Sequence, residues 1–397
     1  MASKEMYALG SQASVIRDLF AYGQEQAATV GKENVFDFSI GNPTVPAPAC
    51  VKEAIEDILE TRESVAIHGY TAASGDASVR QGLADYMNQT YDARVRADNF
   101  YMTCGAAASL TISLKALVEG PDDEIILIAP FFPEYKPYVE GAGLNLKVVP
   151  PRTKDFQIDF DAFDAMLDEN TAAVLINTPN NPSGAAYSAE TLTGLADRLR
   201  AASAKYGHRI FLISDEPYRE IMFGGQPIQY AAKFYDDTLT CYSFSKSLSL
   251  PGERIGYVAA NPRCEDAEYI VPMCGQISRG TGHNCPASLI QLAVAECLDE
   301  TSDLGVYETN MELIYAELKK LGFTVVKPSG TFYIFPKALE EDANAFCKKA
   351  MKYDLALVPG DSFGCPGYFR MAYCIDTEKV RRSFAALEKF VAEEYGK

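Results

Sequence analysis

The 397-residue sequence predicts an α/β fold, in which a parallel or mixed sheet flanked by helices is accompanied by a second α/β lobe. Two observations lead to this prediction. Short apolar segments typical of buried strands recur along the chain, and they end in loops rich in Gly, Pro or Asn. The chain is also longer than one hydrophobic core normally supports, so two lobes are expected.

Composition and charge narrow the functional classes. Thirty-six basic and 54 acidic residues give a formal net charge of −18, which disfavours nucleic acids and anionic membranes as partners. The first residues lack the apolar region of a signal peptide and no apolar run is long enough to span a membrane, so we expect a cytoplasmic protein. The ten cysteines form no C-x-x-C pair, which favours reduced thiols, and no metal site is predicted.

The N-terminal part is predicted to contain a helix over residues 11–30 and a strand over residues 35–40 that ends at Gly41. A glycine before Asn-Pro is typical of a plain turn as well as of a binding loop. A second helix is predicted from about residue 48 to residue 62. His68 follows it without a second ligand at metal-binding spacing, so we interpret it as structural.

A strand over residues 100–103, a turn at Gly105 and a helix to about residue 118 come next. The backbone N–H groups at the start of such a helix attract anions such as phosphate. The small residues at 105–108 leave room for one, although in isolation the segment also fits a simple tight turn. The Gly-x-Gly-x-x-Gly fingerprint of dinucleotide sites is missing, which gives a nicotinamide cofactor no support.

Two further predicted strands end at residues suited to a planar ring. The strand over residues 124–129 leads into two phenylalanines, Phe131 and Phe132, and either ring could offer a flat face to a ligand ring. Consecutive aromatic residues are, however, more often part of a core. The strand over residues 172–176 leads into a tight loop with two adjacent asparagines, the second of which is Asn181.

The strand predicted over residues 209–213 leads into Asp215. A carboxylate there could hold a pyridine nitrogen protonated, and the phenol of Tyr218 could reach the oxygen on such a ring. An acidic residue after a strand can also cap a helix or lie in solvent. That alternative is our prediction for Glu216.

A lysine follows the apolar segment over residues 239–244. Lys246 has serines on both sides and Arg254 eight residues further on. An amine able to form a Schiff base, beside hydroxyls and a guanidinium suited to a phosphate, describes a site for pyridoxal 5'-phosphate (PLP), although a solvated lysine in a polar loop is the alternative. Because the carboxyl ends of parallel strands share one edge of a sheet, we expect these four strand ends to lie together.

The C-terminal lobe is predicted to contain an arginine in an otherwise apolar strand, Arg370. A buried guanidinium needs a partner, and its planar fork matches a substrate carboxylate through two parallel hydrogen bonds. The predicted elements of this part are a helical stretch over residues 286–321, strands over 323–327, 330–335, 355–359 and 368–373, and helices over 342–352 and 376–395.

Two motifs resemble signatures of the class I/II aminotransferases, which are fold type I PLP enzymes. One is Ser-Phe-Ser-Lys at 243–246 with Pro-Gly-Glu-Arg-Ile-Gly-Tyr at 251–257, and the other is Asn-Thr-Pro-Asn-Asn-Pro-Ser-Gly at 177–184. The resemblance implies a large PLP-binding domain, residues 46–299, with a mostly parallel sheet flanked by helices. It also implies a smaller α/β domain formed by residues 1–45 and 300–397.

The resemblance also implies a role for each candidate residue. Lys246, which would hold PLP as a Schiff base, acts in catalysis with Asp215 and Tyr218. The substrate α-carboxylate meets Arg370, Gly41 and Asn181. The implied cofactor contacts are Gly105, Ala106, Ala107, Ser243 and Arg254 for the phosphate, Phe132 for the ring face, Asn181 and Tyr218 for the ring oxygen, and Asp215 for the ring nitrogen.

Two residues are implied to act across a homodimer whose active sites are shared between subunits. Tyr70, with Gly75 and Arg80 at the family spacing, would reach the phosphate of the neighbouring subunit; a half-buried tyrosine is the alternative. Arg279, five residues before Asn284, would read a distal carboxylate of the substrate; a surface arginine is the alternative.

The implied activity is transfer of an amino group between an L-amino acid and a 2-oxo acid. The sequence leaves the amino donor open. Two other functions remain compatible with a PLP site in this fold. One is a C–S β-lyase, because differences in substrate contacts decide the outcome at a shared site. The other is a non-catalytic PLP-binding sensor related to transcriptional regulators, which the acidic charge disfavours.

Overall fold

The computed structural model describes Lys4, Tyr7 and residues 15–396, and it confirms the predicted α/β fold class. The chain divides into two compact units. The small unit contains Met1–Asn42, Val306–Lys327 and Phe332–Lys397, and the large unit contains Pro43–Gly305 and Pro328–Thr331. The domain boundaries given above stay a prediction.

The described residues form the following elements. The α-helices are α1 (Val15–Val30), α2 (Ala49–Thr61), α3 (Ser64–His68), α4 (Ala77–Tyr91), α5 (Ala106–Ala116), α6 (Tyr135–Gly141), α7 (Phe160–Asp164), α8 (Ala189–Tyr206), α9 (Phe244–Ser247), α10 (Ala267–Thr281), α11 (Ser288–Ala295), α12 (Gly305–Lys320), α13 (Ala343–Ala350) and α14 (Thr377–Tyr395). The strands are β1 (Phe36–Asp37), β2 (Phe100–Thr103), β3 (Glu124–Ile128), β4 (Asn145–Val149), β5 (Thr171–Asn177), β6 (Phe211–Asp215), β7 (Thr238–Ser243), β8 (Gly256–Ala260), β9 (Tyr333–Ile334), β10 (Leu355–Ala356), β11 (Val358–Pro359) and β12 (Phe369–Ala372).

The large unit is built on a seven-stranded sheet in the order β2-β8-β7-β6-β5-β3-β4. Strands β3 to β7 pair in parallel, and β8 runs antiparallel to both of its neighbours. The register pairs Asn177 with Asp215 and Asp215 with Cys241, so the carboxyl ends of β5, β6 and β7 lie side by side. This arrangement confirms the predicted gathering of strand ends at one edge.

The central strands are almost entirely buried because both faces of the sheet are covered. In β3, Ile125 and Leu127 pack with one buried cluster that includes residues of α5, whereas Ile126 and Ile128 pack with a second cluster that includes residues of α8. Fully burying such a side chain contributes about 1.5–3 kcal/mol. The two apolar layers therefore hold the strand ends, and the polar residues on them, in fixed positions.

The small unit contains a parallel pair of β1 with β10 and an antiparallel sheet in the order β11-β12-β9. The rings of Phe323, Phe346, Phe369 and Phe390 form its aromatic core, with centroid distances between 4.7 and 6.1 Å. Within the described part of the chain, no helix has the length and apolar character needed to cross a membrane.

Several predicted elements needed correction. Residues 323–327, all of which the structure describes, form no strand, and the helical stretch predicted over 286–321 is two helices, α11 and α12. Strands β4 and β8 and helices α4 and α8 were not predicted. The helix predicted over 11–30 is present from Val15 onward, while residues 11–14 lie outside the described residues.

Candidate active site

Asp215 lies at the carboxyl end of β6 and is 5% exposed. Its Oδ2 accepts a hydrogen bond from the Tyr135 hydroxyl at 2.5 Å, and its backbone carbonyl accepts one from the Asn177 side chain at 2.9 Å. Its Oδ1 is buried and has no hydrogen-bond partner among the residues that the structure describes. A buried carboxylate oxygen without a donor is costly, so this atom is suited to a donor from a ligand.

The protonation of Asp215 is finely balanced. Burial raises the pKa of its carboxyl, the hydrogen bond from Tyr135 lowers it and the nearby charge of Glu216 raises it, and together they place it at about 7. Burial likewise holds the pKa of the Tyr135 phenol well above its usual value, so this phenol stays a donor at neutral pH. A cationic donor placed at Oδ1 would favour the ionised carboxylate.

The start of α5 forms an anion site in the large unit. Gly105 precedes the helix with φ +88°, and no side chain caps the first N–H groups. A Cβ at Gly105 would lie 3.0 Å from Nη2 of Arg254, so the guanidinium rests against this glycine. An uncapped helix N-terminus and an arginine therefore stand together, which is the combination that binds phosphate.

Lys246 lies on the one-turn helix α9, directly after β7, and is half-buried. Ser243 caps the helix: its Oγ accepts from the Ser245 N–H at 3.1 Å and donates to the Ile255 carbonyl at 3.3 Å. At the other end, the Ser247 hydroxyl pairs with the Tyr242 hydroxyl at 2.9 Å. The amine therefore projects from a backbone that is fixed on both sides. The contact of Ser243 with phosphate stays a prediction.

The loops after β3 and β5 are tied to each other and to Asp215. The side chain of Asn180 donates to the Pro130 carbonyl at 3.1 Å, and the N–H of Asn181 donates to Oδ1 of Asn177 at 2.7 Å. The ring of Phe132 lies edge-on to that of Tyr135, with centroids 5.6 Å apart. These contacts bring the predicted aromatic, amide and carboxylate residues to one edge of the sheet.

Tyr138 shows that the carboxylate and the anion site are neighbours. Burial raises the pKa of its phenol to about 12, with Glu134 and Asp215 adding to the rise and Arg254 opposing it. Because charges on Asp215 and on Arg254 both act on this one phenol, the two groups lie in its neighbourhood. Tyr218, three residues after Asp215, is also buried.

The prediction for Glu216 was wrong. It neither caps a helix nor lies in solvent: it is 1% exposed and pairs with the equally buried Arg219, Nε to Oε2, at 2.7 Å. Its other oxygen accepts from the Ser214 hydroxyl at 2.8 Å. The Arg219 guanidinium lies 4.5–5.4 Å from the ring centroids of three tyrosines. It also donates a hydrogen bond to the hydroxyl of a fourth tyrosine. These tyrosines are Tyr91, Tyr230, Tyr242 and Tyr257.

In the small unit, Arg370 and Gly41 belong to one cluster. Arg370 is 2% exposed on β12, donates to the Ser39 carbonyl, and has its guanidinium 4.6 Å from the Tyr333 ring centroid. A Cβ at Gly41 would lie 1.8 Å from the Tyr333 hydroxyl, so only glycine fits there. The predicted carboxylate-binding residues therefore share Tyr333 as a neighbour.

Two predicted residues of the large unit stand apart from these clusters. Tyr70 is fully exposed, which rules out the half-buried alternative, and Arg279 is exposed near the end of α10. Asn284, at the family spacing from Arg279, accepts a weak hydrogen bond on its carbonyl from the Cys104 thiol at 3.7 Å. The segment after α10 therefore lies next to the residue before Gly105.

Sequence reasoning missed Tyr135, Tyr333 and the pair of Glu216 with Arg219. Tyr135 stands three residues after Phe132, at the start of α6, and its partner Asp215 is 80 residues away. A tyrosine next to a candidate ring platform was the available signal. For Arg219, the neighbouring Glu216 three residues earlier was a weak signal, because helical and turn spacings often place such pairs together.

Comparisons with known proteins agree with this geometry. A family model described as aminotransferase class I and II matches residues 33–387. An aspartate aminotransferase of Thermotoga maritima is 29% identical over 367 residues, which is 90% of this chain and 92% of that protein. An aromatic-amino-acid aminotransferase 2 of Thermococcus litoralis is 28% identical and covers 96% of both chains. A crystal structure of an amino transferase from Eubacterium rectale is 48% identical, covers 100% of both chains and superposes with a TM-score of 0.97.

Proposed function

Because the chain belongs to the aminotransferase class I and II family and is itself an aminotransferase, we propose that PLP is its cofactor and that Lys246 is the lysine that carries it. The observation that supports this most directly is the buried Oδ1 of Asp215, which has no hydrogen-bond partner among the described residues. A protonated pyridine nitrogen is the cationic donor that this oxygen lacks.

The residues of the large unit fit the other parts of PLP. The N–H groups of Gly105, Ala106 and Ala107 and the guanidinium of Arg254 suit its phosphate. Phe132 offers a flat face for its ring. The fit therefore covers the phosphate, the ring face and the ring nitrogen of PLP.

When bound, PLP supplies an aldehyde that condenses with amines and a protonated ring that accepts the electron pair released at the substrate Cα. We assign the proton transfer at that Cα to the amine of Lys246, which the capped helix α9 holds in place. Asp215 would keep the ring nitrogen of bound PLP protonated. The Asn181 amide and the Tyr218 phenol would donate hydrogen bonds to the ring oxygen.

The substrate is proposed to be an L-amino acid bound through its α-carboxylate by Arg370, with Gly41 and Asn181 contributing. The buried guanidinium of Arg370 and its planar fork support this role. Arg279 is proposed to read a distal carboxylate. The relatives described above are named for aspartate and for aromatic amino acids, so the donor has to be found by a screen.

We further propose a cytoplasmic homodimer in which Tyr70 reaches the phosphate of the neighbouring subunit. The full exposure of this tyrosine supports a contact made outside its own chain. The large PLP-binding domain is proposed to span residues 46–299, and the small domain residues 1–45 and 300–397.

The test is a donor screen on the purified protein reconstituted with PLP. Each L-amino acid is offered with 2-oxoglutarate, and then with pyruvate, and both products are quantified. We expect a new amino acid and a new 2-oxo acid in equal amounts. Pyruvate and ammonia formed from cysteine or cystathionine without an acceptor would indicate the C–S β-lyase instead, which the named relatives do not favour. No turnover with any donor would contradict the proposal.

A further inference from the structure

Tyr135 has a hydrogen bond to Asp215 that the roles assigned above do not use. We propose that Tyr135 is a positioning residue of the reaction: its hydroxyl holds Asp215 in the carboxylate form, with Oδ2 occupied and Oδ1 left to accept from the cofactor's ring nitrogen. This inference rests on the proposed function. According to it, the phenol of Tyr135 determines whether the proton shared by Asp215 and the cofactor ring resides on the carboxylate or on the ring nitrogen.

The geometry of the contact supports a charged acceptor. The hydroxyl-to-Oδ2 distance of 2.5 Å lies in the range of charge-assisted O–H···O⁻ bonds, about 2.5–2.7 Å. Tyr135 is 1% exposed, so water does not compete for either group. Asp215 is the last residue of β6, and Tyr135 opens α6. Both partners are therefore fixed by elements that do not need a ligand to form.

Tyr135 also touches the proposed ring platform. Its N–H donates to the Phe132 carbonyl at 3.0 Å, and the two rings lie edge to face with centroids 5.6 Å apart. One residue thus contacts both the group proposed to lie against the ring and the group proposed to bind its nitrogen. A substitution that keeps the ring but removes the hydroxyl separates these two contacts.

The need of a buried tyrosine hydroxyl for a hydrogen-bond acceptor does not by itself explain the bond between Tyr135 and Asp215. Tyr235, another buried tyrosine, donates to the backbone carbonyl of Ile210 at 2.7 Å, which satisfies its hydroxyl without a charged partner. Tyr135 instead donates to a carboxylate whose second oxygen has no partner among the described residues. The bond occupies one oxygen of Asp215 and leaves the other as the sole acceptor.

The electrostatics give the direction of the effect. Burial raises the pKa of Asp215 to about 7 and the Tyr135 hydroxyl opposes this rise, so removing the hydroxyl moves the pKa upward and favours the protonated acid. A protonated acid cannot hold a ring nitrogen protonated. The ionisable groups that interact electrostatically with Asp215 are Tyr135 and Tyr138 on α6, Glu216 directly after β6, and Cys241 on β7. Tyr218 interacts in the same way with Tyr135.

The test compares Tyr135→Phe with Tyr187→Phe, both in the full-length protein. Tyr187 is a matched control because it is 4% exposed and only burial shifts its pKa. Each variant is loaded with PLP labelled with ¹⁵N in the ring, and the ring-nitrogen chemical shift is recorded by NMR. The Kd for PLP is measured by titrating the stripped protein. We expect Tyr135→Phe to move the shift toward the unprotonated pyridine value and to weaken PLP binding by about tenfold or more.

Each outcome decides the inference. If Tyr135→Phe matches Tyr187→Phe in both the ring-nitrogen shift and the Kd, while the wild-type protein loads PLP normally, Tyr135 is merely structural. If the wild type itself fails to bind PLP, the proposed function fails instead. Should Tyr135→Phe not fold, 3-fluorotyrosine at position 135 keeps the ring and strengthens the donor. That variant is expected to move the shift toward the protonated value, and an unchanged shift would overturn the inference.

Discussion

Asp215 and Glu216 are adjacent in the chain and both are buried, yet their surroundings differ completely. Glu216 has Arg219 on one oxygen and Ser214 on the other, so its charge and its hydrogen bonds are satisfied within the protein. Asp215 has a neutral phenol on one oxygen and, among the described residues, no partner on the other. The hydrogen-bonding capacity of the Glu216 carboxylate is therefore satisfied within the protein, whereas that of the Asp215 carboxylate is satisfied only in part.

The different surroundings of Glu216 and Asp215 indicate that the first carboxylate serves the stability of the protein and the second its function. A buried charge whose partners lie within the protein is compatible with a stable fold only while those partners remain. Removing one member of the pair leaves the other charge buried alone, which destabilises the folded protein. An unsaturated buried carboxylate destabilises the empty protein and is tolerated where a ligand completes it. Substitution of Glu216 or Arg219 should thus reduce mainly the stability of the protein. Substitution of Asp215 should reduce mainly its activity. The following predictions test this division, from the largest expected effect to the smallest.

Lys246→Ala should lower kcat/KM for transamination by about 10³-fold or more, because general acid-base catalysis by a positioned group contributes about 10²–10⁴-fold. The free energy of unfolding should change by less than about 1 kcal/mol, since Lys246 is only half-buried. Steady-state kinetics and urea unfolding measure the two effects. Lys233→Ala, at an exposed lysine of the same unit, is the control and should keep full activity. Full activity of Lys246→Ala would contradict the assignment.

Glu216→Gln should destabilise the protein by about 3–5 kcal/mol, because it removes the carboxylate that pairs directly with the fully buried Arg219. Equilibrium urea unfolding gives the change in the free energy of unfolding. Glu265→Gln removes an exposed partner of Arg209 and should cost less than about 1 kcal/mol. A Glu216→Gln variant as stable as Glu265→Gln would show that the buried cluster does not stabilise the fold.

Asp215→Asn should stabilise the PLP-free protein at about pH 8 by up to a few kcal/mol while greatly reducing activity. Burial raises the pKa of Asp215 from its ordinary 3.8 to about 7. The resulting contribution to stability is complete below the unfolded-state pKa and is lost as the pH rises through about 7. Thermal unfolding of both PLP-free proteins between about pH 5 and pH 8 measures this. Curves for wild type and variant that run parallel across the range would mean that Asp215 does not titrate there.

Arg370→Lys should lower kcat/KM by roughly ten- to a hundredfold, mainly through KM, because a lysine cannot reproduce two parallel hydrogen bonds to a carboxylate. The control is Arg381→Lys, at an exposed arginine paired with Glu378. It should leave both kinetic constants unchanged. Equal KM values for the two variants would remove Arg370 from substrate binding.

The strand ends of the large unit were predictable because their sequences are apolar on both faces and stop at strong turn residues. Strands β5, β6 and β7 lie within two residues of the predicted positions. The edge strand β4 was missed because most of its residues are at least partly exposed, which weakens the apolar signal. Residues 323–327 alternate like a strand but have no partner strand among the described residues.

The environments of the site residues were less predictable than their identities. Glu216 and Asp215 look alike in a sequence, and only the fold shows that Arg219 turns back onto Glu216 while the phenol of Tyr135 reaches Asp215 from α6. For Ser243 the contact with phosphate stays a prediction, and the fold shows in addition that its hydroxyl caps the helix that carries Lys246. Burial and pairing depend on contacts between distant segments, which residue patterns do not contain.

The most direct test of the central claim is to map the lysine that carries PLP. The purified protein is incubated with PLP and treated with sodium borohydride, which makes a linkage between PLP and an amine permanent, and its peptides are sequenced by mass spectrometry. We predict one label per chain, on Lys246, with Lys246→Ala unlabelled. A label on another lysine, or a wild-type protein that takes up none, would contradict the account.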